Sequence, residues 1–182
     1  MANCFTTEMR MYFEGERRGD AKSAFLLSMC LEKEGFNAVV VQNHCHKAAK
    51  LNYGSAQTKL AIWGLTGKLI DLTKSVIDDV YYCEPKEAVQ WLSKATEAND
   101  KYGTYLYAKC YQHGLFVDKD YYKAETMISK VVPQLDYSEI NALNSLIEYC
   151  LSYDKKNGSY ALPIPNPSLD YYNKDNKDKL AS

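Results

Sequence analysis

Two stretches decide the fold. They are Lys86-Glu87-Ala88-Val89-Gln90-Trp91-Leu92-Ser93-Lys94-Ala95 and Tyr122-Lys123-Ala124-Glu125-Thr126-Met127-Ile128-Ser129-Lys130-Val131. Ala88 falls on Ala124, Trp91 on Met127, Leu92 on Ile128, Ser93 on Ser129 and Lys94 on Lys130, at a constant offset of 36 residues. A phrase repeated at such a period marks stacked helical repeats, in which no unit buries its apolar face without a neighbour.

The register extends in both directions. Ala56, Leu60, Ala61, Gly64 and Gly67 fall on Gly103, Tyr107, Ala108, Tyr111 and Gly114 at an offset of 47. The excess of 47 over 36 places an insertion of 11 residues within 68–83. That segment is too apolar for a bare loop, so longer helices or a short extra turn are expected there. The offset of 47 also puts His44, Cys45, Lys47 and Ala48 onto Trp91, Leu92, Lys94 and Ala95.

The expected fold is therefore all-α, an α/α superhelical solenoid of about three helical hairpins with a capping helix at each end. The hairpins fall at about 20–54, 55–102 and 103–132. Thr6-Thr7-Glu8 can start a lead-in helix, which Gly15 and Gly19 weaken and end. Ala24, Leu27 and Leu31 predict a helix over 20–35, stopped by Gly35, and a second follows over 37–53, ended by Gly54. Ser55 opens the next hairpin, and Pro85 is well placed to begin its second helix over 85–98. Asp120 reads as the N-cap of a helix over 121–132 that Pro133 stops. Residues 136–152 form the closing helix of a domain spanning 1–158. Over 159–182, Pro163, Pro165 and Pro167 give way to Asn, Lys and Asp, which reads as an extended and then disordered tail.

Composition excludes several function classes. The 182 residues carry a net charge of −1, without the basic excess that nucleic acid demands. No apolar run follows a basic N-terminal segment, and the apolar stretch 38–41 is far too short to span a bilayer. The six cysteines show no CxxC and no regular pairing, which fits reduced thiols and a cytoplasmic location better than a disulfide framework. Sixteen tyrosines against five Phe and two Trp hint at contact surface, because Tyr joins a large apolar body to a polar tip.

Tyr107-Ala108, Tyr111, Gly114, Val117, Asp120, Lys123-Ala124, Met127 and Lys130-Val131 resemble a Sel-one-like repeat. That family's pattern runs small residue, Leu-Gly, Tyr, Gly, Val-x-x-Asp, Lys-Ala, then aromatic-x-x-Lys-Ala. The second repeat matches through Ala56, Leu60-Ala61, Gly67, Glu87-Ala88, Trp91 and Lys94-Ala95, and departs by its insertion and by Gly64 at the Tyr position. The first matches through Lys47-Ala48-Ala49. The resemblance covers roughly 20–132. It implies a superhelix whose concave face binds other proteins, with no catalysis by the repeats. Small cytosolic members include immunity proteins that bind and block a toxin. Secreted members carry a disulfide in each repeat, and this chain lacks that regular pair.

Several constellations invite chemistry. His44-Cys45-His46 suggests a metal, yet successive helical residues point about 100° apart, and Cys45 aligns with the core positions Leu92 and Ile128. Gly64-Leu65-Thr66-Gly67-Lys68 lacks phosphate-loop spacing and follows a helix, so it reads as a turn. Asp78, Asp79 and Glu84 have no neighbouring His and read as a solvated face. No catalytic residue, metal site or cofactor is expected. If Tyr107, Ala108 and Tyr111 pack inward, then Tyr105, Lys109 and Gln112 face the groove, and Thr58, Ile62 and Leu65 are their counterparts. These six are the expected partner-binding residues, with Ile62 and Leu65 as exposed apolar positions. The expected function is non-catalytic binding of a partner protein through the repeat groove, one form of which is a bacterial immunity protein against a cognate toxin. The alternatives are an adaptor or scaffold and, less favoured, an enzyme with its chemistry in the insertion.

Overall fold

Six of the eight described helices start where a side-chain oxygen takes up an orphaned backbone N–H. Thr6 Oγ1 accepts from Met9 N at 3.2 Å to open α1 (Thr7–Arg17). The Asp20 carboxylate accepts from Lys22 N and Ser23 N to open α2 (Ala21–Lys33). Asn37 Oδ1 accepts from Val39 N at 2.8 Å to open α3 (Ala38–Lys50). Then come α4 (Gly54–Thr66) and α5 (Pro85–Glu97). Asp100 Oδ1 accepts from Gly103 N at 2.8 Å in the first turn of α6 (Lys101–His113). Asp120 opens α7 (Tyr121–Val131), which runs into a 3₁₀ turn, Val132–Gln134. A capping box of Asp136 and Glu139 opens α8 (Tyr137–Leu151). Two-residue strands β1 (Tyr153–Asp154) and β2 (Ser159–Tyr160) pair antiparallel, Tyr153 opposite Tyr160.

The structure, a computed structural model, describes residues 6–66, 85–154 and 159–160. The 11-residue insertion, Asp78, Asp79, Glu84 and the tail beyond 160 lie outside the described residues. The fold is all-α apart from the short ladder. The chain divides into two units, Met1–Gly103 and Thr104–Ser182, and α6 crosses the boundary.

In the first unit α1 packs on α2, α2 on α3, α3 on α4 and α4 on α5. The short links between α1 and α2, α2 and α3, and α3 and α4 favour antiparallel neighbours. Every residue from Ala56 to Thr66 is buried, so α4 has no solvent face. The repeated phrase is a buried face built twice: Ala88, Trp91, Leu92 and Ala95 on α5, then Ala124, Met127 and Val131 on α7 of the second unit. Ile128 is only half-buried. In the second unit Tyr105 Oη on α6 donates to Asn144 Oδ1 on α8 at 2.9 Å. Asp120 N donates to Tyr111 O at 3.0 Å, setting the start of α7 against α6.

Two glycines act differently from expectation. Gly15 does not weaken α1. The helix runs through it, and a Cβ there would meet Ser23 Cβ at 2.5 Å, so the glycine lets α1 approach α2. Gly54 does not end α3. Asn52 takes the left-handed turn at φ 61°, a conformation its side chain tolerates, and Gly54 opens α4. Pro133 does stop the α-helix, which ends at Val131, and a 3₁₀ turn accommodates the proline near its own start, where no N–H is needed.

A Cβ on Gly103 would meet the Thr58 hydroxyl and Ala95 Cβ, the latter at 2.6 Å. Neither neighbour is a flexible chain end. Gly103→Ala is expected to destabilise the fold by about 1–3 kcal/mol, read as a lower urea midpoint at unchanged slope. An unchanged midpoint would show that this approach is not tight.

Candidate functional site

The six residues expected to face a partner divide sharply. Thr58, Ile62, Leu65 and Tyr105 are buried, and Lys109 and Gln112 are partly exposed. Ile62 and Leu65 are thus not exposed apolar positions, because they lie on a helix covered on all sides. On α6 Ala108 is buried as expected, but Tyr105 is not on the open side. Tyr105 packs inward, where Asn144 of α8 receives its hydroxyl, while Tyr107 and Tyr111 are half-buried. Choosing the inward side from α6 and α7 alone left out the cover that α8 supplies.

Thr58 has a structural task. Its Oγ1 donates to Asp100 Oδ1 at 2.7 Å, and Ser55 Oγ donates to Asp100 Oδ2 at 3.0 Å. Asp100 was not singled out from sequence, although its place three residues before Gly103 is an N-cap spacing.

The His44-Cys45-His46 run sends its side chains to three neighbours. His44 Nδ1 lies 2.6 Å from Glu16 Oε1 on α1, a carboxylate that Lys47 Nζ also approaches at 3.4 Å. The Cys45 thiol donates to Ala56 O at 3.6 Å, and burial pushes its pKa up to about 12. His46 stands edge-on to Trp91, ring centroids 5.4 Å apart. Among the described residues no group of His, Cys, Asp and Glu could hold a metal ion. Gly64, Leu65 and Thr66 are the last turn of α4, where Thr66 Oγ1 donates to Ile62 O at 2.7 Å.

Lys59 is completely buried. Its ammonium pairs with Glu32 on α2, donates to Met29 Sδ at 2.9 Å and lies 5.1 Å from the Trp63 ring. Aromatic and sulfur neighbours offset part of its desolvation, and Glu32 supplies the countercharge. Sequence offers one signal: Lys59 sits on a helix whose other residues are mostly apolar or small.

In the second unit lysines lie over tyrosines. Lys123 Nζ donates to Tyr111 Oη at 2.7 Å and sits 4.1 Å from that ring, and Tyr111 Oη is 2.8 Å from Tyr107 Oη. Burial acts to raise the Tyr111 pKa, but the hydrogen bonds from Lys123 and Tyr107 outweigh it, and the phenol is lowered. Lys109 Nζ lies 5.4 Å from the Tyr105 ring and donates to Gln112 Oε1 at 2.9 Å. Burial lowers the Lys109 pKa. His113 is lowered by burial and then by the charges of Lys109 and Lys119.

The helices and hairpins define an α/α helical-repeat protein. The crystal structure of a Sel1 repeat protein from Oxalobacter formigenes is similar, with a TM-score of 0.55 and 23% sequence identity, over 93% of this chain and 63% of that one. The likeness is one of fold, and it agrees with the repeat resemblance carried by the hairpin residues. This chain spans less than two thirds of that structure's length. No protein-family model matches the chain, and no curated protein does. Among the described residues no helix is long and apolar enough to cross a membrane.

Two outcomes follow from these buried groups. Glu32→Gln leaves the Lys59 ammonium buried without its countercharge and is expected to cost about 3–5 kcal/mol, whereas Lys59→Met, which removes the charge and keeps the bulk, costs far less. Denaturant midpoints of the two variants check this, and equal losses would refute it. His46 is depressed mainly by burial, so below its ordinary pKa the unfolded chain binds the proton more readily. Its contribution is complete above about pH 6.5 and is lost as pH falls through the folded value. His46→Phe, retaining the packing on Trp91, is expected to lessen the fall in midpoint between neutral and mildly acidic buffer.

Proposed function

We propose that the chain is a non-catalytic protein-interaction module, built of helical repeats over 20–54, 55–102 and 103–132 and closed by a helix over 136–152. The observation that carries this reading is the exposure of large aromatics on the second unit: Tyr121, Tyr122 and Tyr137 are 61%, 83% and 79% exposed. Tyrosine is enriched where proteins meet, since its ring buries large area at low entropic cost and its hydroxyl finds a partner. The likeness in fold to a Sel1 repeat protein supports the same reading. So does the use of the most reactive-looking groups, His44, Cys45 and Lys59, in contacts between helices. Cys45, Cys110 and Cys150 are buried thiols raised to about 12, which favours a reducing, cytoplasmic setting.

The reading takes two narrower forms. One is an immunity protein that neutralises a cognate toxin, the other an adaptor that joins two cellular proteins. Affinity capture from the native cell followed by mass spectrometry tests the module and separates them. A captured secreted toxin whose activity the protein blocks supports the first, and two cellular proteins bound at once support the second. The triple variant Tyr121→Ala, Tyr122→Ala, Tyr137→Ala is expected to fold with an unchanged Tm and to lose the captured partner. Unchanged capture by that variant refutes the tyrosine surface.

A further inference from the structure

We infer that the partner presents a segment rich in Asp and Glu side chains, received by Lys109 and His113 on the last turns of α6 and by Lys119 in the link to α7. This deepens the interaction reading and rests on it. Lys109 and His113 are four residues apart on α6 and therefore share a side. Lys109 is half-buried, yet its polar contact is the neutral Gln112 Oε1, and the group beneath it is the Tyr105 ring. Lys119, exposed, lies 4.6 Å from the ring of Tyr121, which joins this patch to the exposed tyrosines. No carboxylate pairs with Lys109 or Lys119 among the described residues. Lys47 and Lys59 of the first unit, by contrast, are paired with Glu16 and Glu32.

The local field confirms the sign. A cation in the last turn of a helix is favoured by the helix dipole, which would raise His113. His113 is lowered instead, by burial and by repulsion from Lys109 and Lys119. A partly desolvated ammonium with no countercharge is costly, and a carboxylate brought by a partner removes that cost. The chain's three arginines stand at 10, 17 and 18, so the second unit itself carries no guanidinium fork for bidentate phosphate recognition. Separated lysine point charges suit separate carboxylates along a peptide.

The test uses the full chain and an array of twelve-residue peptides (about four helical turns or less of any partner). Bound peptides are expected to be enriched in Asp and Glu. Lys109→Gln with Lys119→Gln is expected to weaken the best acidic peptide by about tenfold or more, while Lys130→Gln, an exposed change elsewhere on α7, leaves it unaltered. The His113 imidazole proton signal is expected to titrate at higher pH when the acidic peptide is bound. Peptides that bind without acidic enrichment, or acidic peptides indifferent to the lysine changes, overturn this inference and leave the interaction module standing. No bound peptide together with no captured protein removes both. An equal His113 shift with inorganic phosphate alone, or self-association abolished by the double variant, also overturns it, in favour of a small-anion site or a second copy of this chain.

Discussion

The carboxylate of Asp100 fixes the start of α6 against α4. It accepts Gly103 N, the Thr58 hydroxyl and the Ser55 hydroxyl, so one charge serves both as a helix cap and as the joint between hairpins. Hydrogen bonds to a charged group contribute about 1.5–3 kcal/mol each, and here they act only if the backbones come close. Two glycines allow that. A Cβ on Gly54 would meet Asp100 Cβ at 2.8 Å, and one on Gly103 would press on Thr58 and Ala95. The small residues and the carboxylate therefore act together: without close approach the Ser55 and Thr58 hydroxyls fall short of Asp100.

Much of this architecture was legible because it is local. Caps are set by side chains two or three residues from the N–H groups they satisfy; Asp120 caps as expected, and Asp20, Asn37 and Asp136 prove to cap the helices expected to begin at 20, 37 and 136. Helical periodicity is equally local. The repeat register was legible for a different reason: equivalent residues face equivalent neighbours, so the offset of 47 placed Cys45 on Leu92, and both are fully buried. Glycine was misread where its role is tertiary. Nothing in the sequence around Gly15 says that Ser23 of the next helix will press against it.

The candidate surface was the least legible part. Which side of a helix is covered depends on every element packed around it, and α6 is covered by α8 through Tyr105 and Asn144 as well as by its hairpin partner α7. A two-helix argument cannot place Tyr105. The same holds for Lys59. Its charge suggests solvent, and only the joint presence of Glu32, Met29 and Trp63 makes complete burial tolerable. Lys109 and Gln112 are partly exposed while Cys110 between them is fully buried, so covered and open positions alternate up to the last turn of α6.

The placement of cations separates structural charge from available charge. In the first unit Glu16 and Glu32 each draw a basic side chain from another helix, and Lys59 gives up solvent to do so. Such pairs join helices, and their charge is internally balanced. In the second unit Lys109, Lys119 and Lys123 rest on tyrosine rings, as Lys94 and Lys101 of the first unit rest on Trp91 and Tyr102. A ring face holds an ammonium by about 0.5–1 kcal/mol at exposed sites, enough to orient the side chain but not to neutralise it. The ring fixes where the charge sits and leaves its field directed outward. A rigid, unneutralised cation loses little conformational entropy when a carboxylate arrives, and pre-organisation of that kind is how a small patch gains affinity without gaining area. Tyrosine content thus has a second physical use in this chain: the rings hold lysine ammonium groups in place.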